Sequence, residues 1–167
     1  MRCRGRELSF DSAYPLFPYE GAMRSLLTAY KRSGRRSLAG LFAELLADEI
    51  GRRWRDRTIV PVPPRPGKLR ALGWDQVEEI ASILEKRGFR LCRPLERGRS
   101  AEQKSLGRGD RGENAMKAYA LRPGAKSPDR PLLMDDVVTT CATLDACARA
   151  LKAGGALSVE ALVLAAD

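Results

Sequence analysis

The sequence predicts an α/β fold, a parallel sheet with flanking helices. Three observations carry this. Thr58-Ile59-Val60-Pro61-Val62 is β-branched, and a helical face (Val77, Ile80, Ala81, Leu84) separates it from the strand-like run Phe89 to Leu95. Strand, helix, strand is a βαβ unit, which calls for parallel pairing and a right-handed crossover. Leu132, Leu133 and Met134 form a continuous apolar run, as expected of a strand covered on both faces. A second crossover follows: Leu144, Cys147, Ala148 and Leu151 recur on one helix face, Gly154-Gly155 stops the helix, and Ala156 to Ala165 reads as the last strand.

The remaining elements fit around this frame. Residues 1–12 are polar and irregular, and Phe17-Pro18-Tyr19-Glu20-Gly21 leads into a helix over Ala22 to Ser33 with Met23, Leu26, Leu27 and Tyr30 on one face. A basic turn, Lys31 to Arg36, precedes a second helix over Ser37 to Trp54. Its stripe is Leu38, Leu41, Phe42, Leu45, Leu46 and Ile50, with Ser37 as cap. Asp75, with Glu78 three residues on, is a capping pair for the βαβ helix, and Gly88 ends it. Residues 96–114 are rich in glycine and cations, with Leu106 the main apolar side chain. A loop of that length in a compact domain is commonly functional, and here it reads as a flexible lid. Lys117 to Arg122 reads as a short strand.

The chain has 167 residues, enough for one domain with a sizeable core. Thirty Lys and Arg against 21 Asp and Glu give a net charge of +9, which favours anionic partners such as phosphorylated small molecules or nucleic acid. No apolar run is long enough to span a membrane and no signal-peptide pattern opens the chain, so the expected location is the cytoplasm. Histidine is absent, which excludes His-based triads and His-ligated zinc. The four cysteines, Cys3, Cys92, Cys141 and Cys147, contain no C-x-x-C pair and are expected to be free thiols, with Cys147 in the core.

The candidate site is the end of the apolar strand. Asp135 and Asp136 follow it, at the carboxyl edge where open α/β sheets bind ligands. Thr139, Thr140, Cys141, Ala142 and Thr143 come next. They are small, and they lead into a helix whose amides and positive dipole end suit a phosphate. Two carboxylates that grip hydroxyls or a Mg²⁺ shell, beside a phosphate loop, match a ribose 5-phosphate-like ligand.

Leu133 to Thr143 resembles the phosphoribosyl-pyrophosphate (PRPP) signature of type I phosphoribosyltransferases, a family in which the position of Cys141 is usually Gly. If the backbone there has positive φ, Cys is strained; if φ is negative, Cys costs nothing. The resemblance widens over roughly residues 13 to 165. Phe17 to Gly21, the basic turn, Val60-Pro61-Val62-Pro63, Arg70 to Gln76, and Gln103 to Leu106 with Arg108, Arg111 and Asn114 are similar to the ComF-type competence family, linked to uptake of single-stranded DNA. Relatives often have Phe-Asn in place of Trp74-Asp75. Members commonly begin with a four-cysteine zinc module; only Cys3 corresponds to it, so the reading is of a chain without that module and zinc is not carried over.

The resemblance implies a type I phosphoribosyltransferase-like fold that binds PRPP with Mg²⁺. Asp135 and Asp136 would hold the ribose hydroxyls, directly or through the metal, and Thr139 to Thr143 the 5-phosphate. Arg65, Lys68, Arg70, Lys104 and Arg108 would neutralise pyrophosphate. It implies either transfer of the phosphoribosyl group or a non-catalytic module that contacts single-stranded DNA or a DNA-uptake protein, and a homodimer is compatible with both. No segment marks a nucleobase hood, so no acceptor is named.

Overall fold

A computed structural model describes residues 8–64, 67–68, 71, 73–98 and 118–167. Its centre is a four-stranded, fully parallel sheet in the order β1-β6-β5-β2, made of β1 (Ser12–Pro18), β2 (Thr58–Pro61), β5 (Pro131–Val138) and β6 (Glu160–Ala166). The helices are α1 (Gly21–Arg32), α2 (Leu38–Arg53), α3 (Gln76–Lys86) and α4 (Ala142–Ala153). A separate antiparallel pair, β3 (Leu95–Arg97) with β4 (Tyr119–Leu121), stands beside α4.

Strand alternation sorts the core into two layers. Leu132 and Met134 of β5, with Leu162 and Leu164 of β6, pack against α1, α2 and α3 through Leu27, Phe42, Leu46, Ile50, Ile80 and Leu84. Leu133, Ala161 and Val163 face the other way, onto α4 (Leu144, Cys147, Leu151) and the β3–β4 pair. The apolar run that marked β5 is therefore apolar for both layers at once, and Leu132 and Leu133 are completely buried.

Several expectations are corrected. The stretch within residues 1–12 called irregular ends in a strand: β1 begins at Ser12 and pairs in parallel with β6, from Ser12 opposite Glu160 to Pro18 opposite Ala166. Its two prolines hide it from propensity, yet they suit a sheet edge, where a missing N–H breaks no ladder. Residues 89–95 do not form a regular strand. They run alongside β2 with one bridge, Ile59 to Leu91, and two backbone bonds (Ile59 N–H to Arg90 O, 2.8 Å; Cys92 N–H to Ile59 O, 3.0 Å). Ser37 precedes α2 in helical conformation and its side chain makes no cap bond. Leu41 is 42% exposed, while Ala39 and Ala43 take the buried places. Of the lid, Glu96 and Arg97 belong to β3 and the Gly98 N–H donates to Ala118 O (2.9 Å); residues 99–114, with Lys104 and Arg108, lie outside the described residues.

Other expectations hold. The Asp75 carboxylate caps α3 by accepting from Val77 N–H (3.0 Å) and Glu78 N–H (3.1 Å). Cys92 and Cys147 carry free thiols and Cys147 is fully buried, but Cys141 is disulfide-bonded, contrary to the thiol expected. Among the described residues no helix is long and apolar enough to cross a membrane.

Candidate phosphosugar site

Alternation along β5 sends its two acidic side chains to different layers. Asp136 shares the face of Met134 and meets the end of α1: Lys31 Nζ lies 2.9 Å from its Oδ1, with Asp136 only 12% exposed. Asp135 continues the face of Leu133, toward Tyr119 and Cys147, whose ionisation its charge opposes. The Asp135 Oδ1 accepts from the Asp136 N–H at 2.8 Å. Burial, and then the adjacent Asp136 charge, push the Asp135 carboxyl well above the usual carboxylate range. The same burial, with Asp135 second, keeps the Cys147 thiol protonated.

Both carboxylates line a cavity of about 230 Å³ at the carboxyl edge of the sheet. Val62, Pro63 and Pro64 beyond β2 form one wall, Lys68 and Asp75 another, and Arg97, Tyr119 and Thr143 the third. Three carboxylates (Asp75, Asp135, Asp136) and two cations (Lys68, Arg97) thus line the same cavity. Lys68 is already engaged, with Nζ 2.8 Å from Asp75 Oδ2 and bonded to the Gln76 side-chain oxygen, so an anionic ligand must compete with Asp75 for it. The tether is built from α1, since the Tyr30 hydroxyl donates to the Gln76 carbonyl (3.0 Å) and to Glu79 (3.2 Å). Arg36 also pairs with Glu79 (2.7 Å). These bonds fix the start of α3, and with it Asp75, against the basic turn.

The turn from β5 to α4 holds Thr139 and Thr140, both exposed, and Cys141, which is 2% exposed. Cys141 has φ 55° and ψ −8°, the single non-glycine residue with positive φ among those described. The strained alternative is the one realised. The turn then delivers Ala142 and Thr143 as the first helical residues of α4, with amides unpaired by the helix itself.

Of the candidate residues, the structure gathers Asp135, Asp136, Thr143 and Lys68 around one cavity, and sets Thr139 to Ala142 in the adjoining turn. Arg65, Arg70, Lys104 and Arg108 lie outside the described residues. Sequence reading missed Lys31 as the partner of Asp136, and Arg97 and Tyr119 as wall residues. Lys31 had a signal, since it opens the basic turn, and Arg97 had one as a cation of the 96–114 lid; Tyr119 had none, because only the β3–β4 pairing brings it to Arg97. Among the described residues no group of three or more acidic or cysteine side chains could hold a metal alone. Two carboxylate donors nevertheless fit Mg²⁺, which favours hard oxygens and completes its shell with water and ligand phosphates.

No family model matches the chain. Over 149 residues it is 28% identical to the competence protein ComFC of Streptococcus pneumoniae (strain ATCC BAA-255 / R6), a match spanning 89% of this chain. The chain is similar to a competence protein. It spans 66% of the length of that relative. A match of that length has to contain residues 19–149, and with them β2, β5 and the turn that follows β5.

Proposed function

We propose that the chain is a phosphoribosyltransferase-like protein of the ComF type that binds PRPP with Mg²⁺, in a competence-related role. One observation carries this reading: an acidic pair at the end of a central parallel strand shares a cavity with a cation and adjoins a small-residue turn at a helix N-terminus. Asp135 and Asp136 hold the ribose 2- and 3-hydroxyls. The amides of the turn from Thr139 to Thr143, with the α4 dipole, receive the 5-phosphate. Lys68 meets the pyrophosphate, with Arg65, Arg70, Lys104 and Arg108 assigned to the same end.

Breaking the bond from C1 to pyrophosphate builds positive charge on the sugar and negative charge on the leaving group. Carboxylates for the sugar and cations for the leaving group can oppose these two charges without a general base, which suits a chain that lacks histidine. Bound Mg²⁺ would supply further charge neutralisation on the diphosphate, and Asp135 and Asp136 are the residues that would hold it, through water or directly. Lys31 keeps Asp136 paired until the ligand arrives.

A second reading is favoured by the similarity to a competence protein and by the charge of +9. In it the site binds but does not transfer, and the basic surface contacts single-stranded DNA or an uptake protein. Calorimetry with PRPP and Mg²⁺, followed by a pyrophosphate-release assay over a panel of nucleobases and amines, separates the two. Binding with release supports the transferase and binding alone the module. The doubly substituted Asp135→Asn, Asp136→Asn protein is expected to lose PRPP affinity by about 100-fold or more while remaining folded, as two charge-assisted contacts disappear. Parental affinity in that variant overturns the assignment.

A further inference from the structure

The cavity wall at Tyr119, beside Asp135, contains a buried polar atom without a hydrogen-bond partner among the described residues. Tyr119 is 7% exposed, and among the described residues its hydroxyl meets no partner in hydrogen-bond geometry. The Thr143 side chain interacts with it in the direction that favours the phenolate, against the larger effect of burial. Leaving a buried donor unpaired is costly, and such a group in a native fold calls for an explanation. Directly across the β3–β4 ladder, Arg97 is the register partner of Tyr119, and its guanidinium lies 5.0 Å from the ring centroid. Among the described residues Arg97 pairs with no carboxylate. A donor hydroxyl, an uncompensated guanidinium and Thr143, in the first turn of α4, thus meet in the same cavity as Asp135.

We infer that Tyr119, Arg97 and Thr143 form an oxyanion cradle, in which the Tyr119 hydroxyl donates to a phosphate oxygen of the bound phosphosugar and Arg97 supplies the countercharge. This rests on the sugar-phosphate reading above and adds residues from the β3–β4 pair that the strand–turn–helix pattern does not contain. The ring of Tyr119 holds the guanidinium by its π face, so Arg97 is aimed without needing a carboxylate that would repel the ligand. The helix start contributes amide donors on the third side.

The test uses the full chain and two probes, ribose 5-phosphate and inorganic pyrophosphate, each titrated calorimetrically into the parent, Tyr119→Phe and Arg97→Gln. Tyr119→Phe keeps the ring and removes only the hydroxyl. It is expected to bind one of the two probes about tenfold more weakly, the loss typical of one charge-assisted hydrogen bond. Its thermal midpoint should equal or exceed that of the parent, because an unpaired buried hydroxyl has gone. Arg97→Gln should weaken the same probe. A loss confined to ribose 5-phosphate places the cradle at the 5-phosphate; one confined to pyrophosphate places it at the diphosphate end. If Tyr119→Phe binds both probes as the parent does, or loses affinity only together with its thermal midpoint, the cradle is wrong while the acidic-pair reading stands. If the parent binds neither probe nor PRPP, both fall.

Discussion

At Cys141 a non-glycine residue is held at φ 55°, where Cβ crowds the backbone at a cost of roughly 1 kcal/mol. The residue that relieves this is Gly, the one usual at this position in phosphoribosyltransferases. Because Cys141 is also disulfide-bonded, the strain has to be measured with the bond reduced in the parent. In reductant, Cys141→Gly is expected to raise unfolding stability in urea by about 1 kcal/mol, and ribose 5-phosphate affinity should stay within about threefold, since the turn keeps its shape. A destabilised Gly variant would mean that the left-handed backbone is not strained by Cys. Asp135 makes a different trade. Its folded carboxyl titrates above its unfolded value because burial disfavours the charge. The native state therefore binds more protons than the unfolded one over that interval. The contribution is complete below about pH 4 and is lost as pH rises through the raised folded value. Asp135→Asn removes the buried charge, so its thermal midpoint should exceed that of the parent at pH 8, and the difference should shrink toward pH 4. An Asn variant less stable than the parent at pH 8 would show that the carboxylate is stabilised where it sits. Higher stability with weaker PRPP binding is the usual signature of a residue kept for function.

Among the elements, α3 is the one whose placement sets Lys68 in the cavity. Its start depends on Asp75, which is 5% exposed, accepts two amide bonds and holds Lys68. Truncating it removes a cap and leaves Lys68 without its carboxylate. Asp75→Ala is expected to cost about 1–2 kcal/mol in chemical denaturation. Asp75→Asn should recover most of that loss, because an amide oxygen still accepts the helix amides, and it should bind pyrophosphate more tightly because Lys68 is released from its ion pair. Equal stability of the Ala and Asn variants would remove the cap from the account. The small β3–β4 pair works in the opposite sense. It is only three residues on each strand, yet it carries Arg97 and Tyr119 to the site by packing on α4.

On the scale of the whole molecule, one sheet edge concentrates the chemistry. Parallel strands put every carboxyl end on the same side, so the residues after β2 and the residues after β5 come together although more than seventy positions separate Lys31 or Val62 from Asp136. Helices on one face and α4 with the β3–β4 pair on the other close that edge laterally, and the cavity is the gap they leave. The alternation of β5 then gives its two aspartates separate company, Lys31 from the α1 layer and Tyr119 from the α4 layer. The chain as a whole carries a net charge of +9, which favours anionic partners.

The sequence by itself determined the parallel sheet, because the buried runs at β2, β5 and β6 alternate with helical periodicities; which run lies beside β2 was decided by tertiary structure, β5 rather than residues 89–95. It also determined the acidic pair, the turn after it and the cap at Asp75, since each is written in consecutive residues whose backbone geometry is local. It did not determine β1, whose prolines contradict strand propensity and whose place is set only by the ladder of β6. Nor did it determine that residues 89–95 touch β2 at a single bridge, that Leu41 faces solvent, or that Cys141 takes positive φ. The pairings of Lys31 with Asp136, Lys68 with Asp75 and Arg97 with Tyr119 were likewise decided by tertiary structure. Each joins side chains from different elements, and no periodicity along one chain records which faces meet once the layers close.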